Sequence, residues 1–421
     1  MVPPRKPAAD HGHAPRYSER VSDAERWIVV VEEPFLPADA GGRLETFGFL
    51  TAAAQAGIRM QILVPSRTSL DIAEYEKAVP GAVVIRLPRD DSPLAHLTPR
   101  PFIHASRPAA PLRRALEKTP PRADAVISYS FRVAHLGEEI ARIWRLPHLV
   151  RAQNIDSEFF RALARSTAGP RALAYELEYR KLRLAEQEMH HSPLINAFAD
   201  ISIEDHEWRR ARASVPTYHL PPFLPDRVMA SARVGGTTQR DPERLVFVGS
   251  LDTPMNIEAL RWFLGGCWPT IRQRHPNATF QVVGRRPEPG LAEWLLGFAG
   301  VELHTDVPSV HEYLTGASLS VNPMRSGSGV NMKAIEAMAT ATPVVSTRTG
   351  SRGLAWRPGE HLLVADEPGA FADAVCGLLE NPWLAAEIGT AGRDFVLKEF
   401  DHTTLINRVR GMLAGDESSA G

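Results

Sequence analysis

Only two cysteines occur among the 421 residues, Cys267 and Cys376. That scarcity excludes a disulfide framework and a cysteine-ligated zinc site, suits a reducing compartment, and leaves both thiols as small apolar side chains. No charge of one sign dominates. Lys and Arg total 48 against 49 Asp and Glu, a formal charge of -1, so no global field would hold the chain on nucleic acid and no nucleic-acid partner is expected. Long apolar runs are missing as well: WIVVV at 27–31 falls far short of the ~18 residues of a membrane span. The first residues, MVPPRKPAADHGHAPRYSER, lack the apolar stretch of a secretory signal, so residues 1–24 are expected to form a disordered tail on a cytoplasmic protein. A Walker-type Gly-Lys-Ser/Thr loop, a Gly-x-Ser-x-Gly elbow and a Gly-x-Gly-x-x-Gly fingerprint are all absent, which removes support for a kinase, a serine hydrolase and an NAD dehydrogenase. Neither His11 with His13 nor His190 with His191 has carboxylates at zinc-enzyme spacing, and no metal site is expected.

What the chain does contain is ordinary globular material, 44% hydrophobic and 23% charged, enough for about two domains. Apolar, β-branched blocks alternate with helical patterns throughout, the mark of βαβ units and a parallel sheet. Strands are expected at 27–33, 60–66, 83–88, 125–130, 148–154 and 199–204, and a second series at 244–250, 279–284, 301–305, 319–323, 342–347 and 361–366. DRVMASARVGGTTQRDPE (226–243) has small and polar residues and no apolar period, and reads as a linker. The expected architecture is therefore α/β, with two doubly wound Rossmann-like domains, 25–225 and 244–400, facing a cleft, and a carboxy-terminal helix and tail over 401–421. The charged stretch between 155 and 195 reads as a solvated helix face, with a lid or partner surface as the alternative.

Open parallel sheets bind ligands beyond the carboxyl ends of their strands. One such place stands out, VNPMRSGSGVNMKAIEAMATATPVVST (321–347), where a strand leads through a glycine loop into a helix starting near Asn331. Small residues let backbone amides approach an anion, and the helix amino terminus adds partial positive charge, so a phosphate fits without a metal. Lys333 and Glu336 stand three apart on this helix, Lys333 nearer the phosphates and Glu336 one turn deeper, where it could accept from two ribose hydroxyls. A plain surface turn and helix is the bland alternative, weakened because AIEAMA is apolar and a Glu on a buried helix needs a partner.

The stretch from 244 to about 400 resembles the carboxy-terminal domain of GT-B glycosyltransferases, in particular the group-1 type retaining family that uses nucleotide-activated sugars. RLVFVGSLDTPMNIEALRWF, QVVGRRP, VELHTDVPSVHEYL, the glycine-loop block and SRGLAWRPGEHLLVAD carry the resemblance, in the expected order. The first half is similar to the partner domain through PADAGGRLETFGFLTAAAQAGIRMQILVP and LVRAQNIDSEFFRAL. The resemblance implies a UDP- or GDP-type sugar as co-substrate and no separate cofactor. It implies that Gly327, Ser328 and Gly329 offer amides to the diphosphate, with Asn331 at the helix start, and that Lys333 and Arg325 offset its charge. Glu336 would hold the ribose, Arg285, Asp306 and Val307 would flank the base, and Gly249 and Ser250 would approach the phosphates from below. Gly41 and Gly42 would form a tight loop before the first helix where the sugar diphosphate comes close, and Asn154 and Asp156 would orient an acceptor glycan, lipid-linked glycan or small natural product.

The sequence departs from that family at three places. Ser328 stands where many relatives have the first of two Glu residues, Gln153 stands where relatives have a His, and Ala341 replaces a Gly that ends the Glu-bearing helix. Gln153 cannot transfer a proton, and Ala341 would cost about 1 kcal/mol if that position has positive φ. Absence of any Asp-x-Asp argues against the other common transferase fold, which holds its donor through a metal. A basic run, RPAAPLRRALEKTPPR (107–122), reads as a solvated loop and helix, with weak peripheral contact at an anionic inner membrane face as the alternative. Readings that keep the nucleotide site but change the chemistry are a nucleotide-sugar epimerase, a phosphorylase, or an inert nucleotide-binding module.

Overall fold

The structure is a computed structural model that describes residues 25–38, 41–118, 122–234, 239–327 and 329–416; the expected tail at 1–24 and Ser328 lie outside the described residues. Two parallel sheets organise the chain. The first contains β1 (Arg26–Val31), β2 (Arg59–Ser66), β3 (Val83–Pro88), β4 (Ala125–Tyr129), β5 (His148–Ala152), β6 (Ala197–Asp200) and β7 (Thr217–His219), in the order β3-β2-β1-β4-β5-β6-β7. The second contains β8 (Asp241–Val248), β9 (Thr279–Gly284), β10 (Val301–Thr305), β11 (Ala317–Asn322), β12 (Val344–Ser346) and β13 (Leu363–Val364), in the order β10-β9-β8-β11-β12-β13.

Strand β1 shows why these runs are strands. Helices cover both faces of a parallel sheet, so its central strand must be apolar at every position rather than alternating. Trp27, Val29 and Val31 join the cluster beneath one helical layer with Phe49 and Phe223, while Ile28 and Val30 join the opposite layer with Leu136 and Ile140. All five side chains are essentially inaccessible. The last helix, His402–Ala414, returns to this first domain: Leu405, Ile406, Val409 and Met412 pack in the same cluster as Trp27.

Each of the twelve strands expected from sequence has a counterpart, and the differences have local causes. β6 occupies 197–200 rather than 199–204, because Ser202 caps a helix, accepting from Asp205 N at 3.1 Å, and the following Ile203–Arg210 is helical. β7 was not anticipated; it has only three residues. Residues 226–234, expected within a linker, form a helix with Val228, Met229 and Ala232 buried against the helices of the second domain. The charged stretch 155–195 contains two mutually packed helices, Asp156–Ser166 and Pro170–Met189, and one of its acids joins them: Glu186 accepts from Ser157 N at 3.1 Å and from its hydroxyl at 2.5 Å. Burial pushes that carboxyl up to about 7. In the basic run, Arg107 is buried and donates to the Ile103 and Glu32 carbonyls, while the exposed Arg113 pairs with Glu139 at 2.5 Å. Among the described residues no helix is long and apolar enough to cross a membrane.

The two domains meet where Ile203 N donates to the Gly353 carbonyl at 3.1 Å and Glu204 faces Arg352 at 3.5 Å. The glycine loop of the second domain lies across from the first, with Asn154 Oδ1 3.6 Å from where a side chain on Gly329 would begin.

Candidate functional site

The second-domain half of the site is built at the carboxyl edge of β8, β9, β10 and β11. β11 leads through Met324–Gly327 and Gly329 to the helix Met332–Ala339, whose N-cap residue is Asn331. Gly327 has φ 131° and Gly329 φ 84°, backbone that glycine adopts without strain, so the loop turns sharply where the sequence places its small residues. The helix is buried through Ala334, Ile335, Ala337 and Met338, as its apolar composition requires.

Lys333 reaches from the first turn of this helix back under the loop. Its Nζ donates to Asn256 Oδ1 at 2.5 Å, lies 3.4 Å from Met324 Sδ, and sits 4.8 Å from the centre of the Phe247 ring. Among the described residues no carboxylate pairs with it. Burial alone pushes the ammonium down from 10.5 to about 7. A cation enclosed by an amide, a thioether and a ring, at the mouth of a glycine loop, is an arrangement that awaits an anion.

Glu336, one turn on, looks to the other side of the helix end. Its carboxylate meets Arg227 Nη2 at 3.3 Å and lines a recess of about 60 Å³ with Ser309, Val310, His311 and Thr340. Burial raises its pKa and the Arg227 guanidinium opposes the rise.

Gly249 and Ser250, after β8, are held by Asn256, which donates to the Ser250 carbonyl at 2.8 Å; a side chain on Gly249 would come within 3.0 Å of that amide. The Arg285 carbonyl accepts from Leu251 N at 2.8 Å, bringing the loops after β8 and β9 together. Asp306, at φ 52°, donates its N–H to the Gly284 carbonyl at 3.0 Å, and Val307 packs on the core beside Leu314. Arg325 departs from the expected convergence on one diphosphate. Its guanidinium lies 5.1 Å from the centre of the Trp262 ring and donates to the Asp366 carbonyl at 2.8 Å, partners distinct from those around Lys333.

The facing half comes from the first domain. Gly41 and Gly42 are the first two residues of the helix Gly41–Gln55 rather than a loop before it, because the chain already has helical geometry at Gly41. A side chain on Gly42 would meet Gln153 Oε1 at 3.3 Å. Gln153 donates to Glu45 Oε2 at 3.2 Å, and Glu45 also accepts from Tyr129 at 2.6 Å and from Arg151 at 2.8 Å. Where a proton carrier was the expectation from relatives, the chain holds a neutral amide anchored to a buried ion pair. Asp156 is buried and bonded to Arg132 Nε at 2.8 Å, and the same guanidinium meets Glu32 at 2.6 Å. Its carboxylate therefore fixes Arg132, while Asn154, Gln153, Arg132 and Glu33 line a cavity of about 140 Å³ beside Gly42.

Residues 242–381 match the family model of glycosyl transferases group 1. Over this segment, a third of the chain, the protein is similar to the group 1 glycosyl transferases. D-inositol 3-phosphate glycosyltransferase 2 of Catenulispora acidiphila is 33% identical over 188 residues, 41% of this chain and 43% of that protein. The chain spans less than half the length of the curated relatives it matches. Among solved structures, sucrose-phosphate synthase from Thermosynechococcus elongatus superposes with a TM-score of 0.67 at 17% identity, covering 94% of this chain and 100% of that one. Anabaena Alr3699/HepE in complex with UDP superposes with a TM-score of 0.62 at 12% identity, covering 93% and 99%. At these identities the likeness is one of fold, and the fold is GT-B.

Several residues of the site were not singled out from sequence. Asn256 lay inside a quoted block without a role; the signal was a polar residue in the first turn of the helix Pro254–Trp262, at a position that is 6% exposed. Arg227 lay in the supposed linker. Glu45, Arg151 and Arg132 belong to separate elements, and only the fold brings them together.

Proposed function

We propose that the protein is a glycosyltransferase that moves a sugar from a nucleotide-diphosphate donor to an acceptor, with retention of anomeric configuration and without a metal. The observation that carries the reading is Lys333: a buried ammonium facing no carboxylate, beneath a glycine loop at the carboxyl edge of a parallel sheet. Breaking the bond between sugar and diphosphate builds negative charge on the leaving phosphate. Lys333 and the amides of the loop stand ready where that charge would grow, so electrostatic stabilisation in a preformed site would supply most of the rate. Glu336 would hold the ribose hydroxyls in the recess it shares with Ser309 and His311. Neither Gln153 nor Asn154 can act as a nucleophile or a proton carrier. The acceptor would therefore attack from the face the donor leaves, with the departing phosphate assisting removal of its proton, and Asn154 across from Gly329 would orient the incoming hydroxyl. The donor base is UDP or GDP type in this reading, and the acceptor a glycan, a lipid-linked glycan or a small natural product.

The test is donor turnover by mass spectrometry with EDTA present throughout, for the wild type and for Lys333→Ala and Glu336→Ala. Wild-type turnover that needs an acceptor and persists in EDTA, with both variants folded and inactive, is the expected result. Wild-type rates in either variant would refute the site. Product without any acceptor would assign an epimerase or a phosphorylase instead, and donor binding without turnover an inert module.

A further inference from the structure

Asn256 is held by two partners that leave its amide no freedom. An ammonium can only donate, so the amide oxygen must face Lys333 Nζ, 2.5 Å away; a carbonyl can only accept, so the amide nitrogen must face the Ser250 oxygen, 2.8 Å away. The side chain is also wedged against Gly249, where any side chain would come within 3.0 Å of its nitrogen. It thus ties three things together: the loop after β8, the first turn of its own helix, and the ammonium at the start of the Met332–Ala339 helix. The first two are neighbours in sequence and the third lies 77 residues on, and Asn256 with only 6% exposure is the bolt between them. The charged groups on the segments packed around Lys333 are engaged elsewhere: Glu336 with Arg227, Glu258 with the Ser326 hydroxyl, and Arg325 with the Asp366 carbonyl.

We propose that Asn256 is a positioning residue for the donor diphosphate, setting Lys333 Nζ and the Gly249–Ser250 backbone at a fixed separation so that both meet the same anion. This rests on the reading of Lys333 as the diphosphate ligand. A neutral amide suits the task better than a carboxylate would. Its oxygen accepts from the ammonium and favours the charged form, yet leaves the positive charge uncancelled for the donor. A carboxylate at 256 would neutralise Lys333 and set an oxygen against the Ser250 carbonyl.

The experiment measures binding of UDP-glucose and GDP-mannose by calorimetry from about pH 6 to 9, over which range a doubly esterified diphosphate does not titrate. Wild type, Asn256→Ala and Asn256→Asp are compared. Wild-type affinity should fall on the alkaline side as Lys333 loses its proton. In Asn256→Ala that fall should move to lower pH, since the acceptor that favours the ammonium is gone, and affinity at the optimum should drop roughly tenfold or more, the worth of a hydrogen bond to a charged group. In Asn256→Asp the fall should move to higher pH, because the new carboxylate holds the proton, while affinity near pH 6 still drops. A side chain that merely supports the fold would lower stability in both variants and move neither profile. Unmoved alkaline limbs, or unchanged affinity in either variant, would overturn the proposal. Asn256→Asp is isosteric and decides the matter alone if the alanine variant does not fold. A wild type that binds neither sugar nucleotide refutes the diphosphate reading itself, a result distinct from binding that is insensitive to position 256.

Discussion

Replacing Lys333 by Met should stabilise the ligand-free protein while abolishing donor binding. Met keeps most of the apolar stem, one atom shorter, and removes the charge. Enclosure takes the ammonium from 10.5 to about 7, which at ~1.4 kcal/mol per pH unit corresponds to about 4–5 kcal/mol of strain on the charged form. Two effects reduce the gain. The hydrogen bond to Asn256, worth about 1.5–3 kcal/mol, is lost with the charge. Lys333 is also only partly buried as a residue, which screens part of the penalty. A net gain of about 1–3 kcal/mol near neutral pH remains. Its pH dependence has a definite sign. The folded pKa lies below the unfolded one, so between about pH 7 and 10.5 the unfolded chain binds the proton and the folded protein does not. Wild-type stability therefore rises with pH across that window; the penalty is complete below about pH 7 and gone above about 10.5. The advantage of Met should be largest at about pH 6 and vanish or reverse near pH 10, where the penalty is gone and wild type still has its hydrogen bond to Asn256. Urea unfolding of both proteins without ligand, at pH 6, 8 and 10, measures it. A Met variant no more stable than wild type at pH 6, or a difference that does not change with pH, would refute the account of Lys333 as an enclosed cation awaiting an anion.

Two further substitutions test other parts of the structure. Ala341 sits at φ 54° just past the helix that carries Lys333, with its own N–H on the Met338 carbonyl at 2.8 Å and Thr342 N on the Ala337 carbonyl at 3.0 Å, the double closure that usually ends on glycine; Ala341→Gly should stabilise the protein by about 1 kcal/mol in urea unfolding with donor kinetics unchanged, and a destabilised variant would contradict the strain argument. Arg151 and Glu45 are 1% and 3% exposed, so Arg151→Met should cost about 3–5 kcal/mol by leaving a buried carboxylate without its cation, and the double variant with Glu45→Gln should recover most of it; a single-variant loss below about 1 kcal/mol would show that Tyr129 and Gln153 satisfy Glu45 unaided.

The strand pattern was legible because the physics behind it is local. A strand such as β1, and the LVFV half of β8, must be continuously apolar where both faces are covered, and that leaves an unmistakable mark in one dimension. β7 left none, being three residues long with only its middle side chain fully buried. The helix 226–234 was hidden for a different reason: its buried residues Val228, Met229 and Ala232 are few and small, and its stability comes from packing on the second domain rather than from any period of its own. At the site, the glycine loop, the helix start at Asn331 and the positions of Lys333 and Glu336 could all be read from neighbouring letters. The direction in which a long side chain turns could not. Arg325 looked as suitable as Lys333 for a diphosphate, yet the Trp262 ring and the Asp366 carbonyl, contributed by distant segments, draw it elsewhere.

Three buried pairs of the first domain and Lys333 of the second stand in contrast, and in the reading proposed above the contrast bears on which part of the cleft would meet an anionic donor. In the first domain Glu45 faces Arg151, Asp200 faces Arg209 at 2.9 Å, and Asp156 faces Arg132, which also meets Glu32. Such pairs hold β5 and β6 to the helices around them, and at the cleft Gln153 and Asn154 stand among the charged side chains of Glu32, Glu33, Arg43 and Arg132. In the proposed reading these amides and charges would hydrogen-bond the hydroxyl groups of an acceptor. The second domain encloses Lys333 among uncharged neighbours and tolerates the cost, although Asn256 lies close enough that a carboxylate at the same position would remove it. A fold selected for stability alone has no reason to keep that arrangement. A site that binds a doubly negative donor, as proposed above, would have one, since the charge left unpaired in the free protein would be the charge available to the diphosphate.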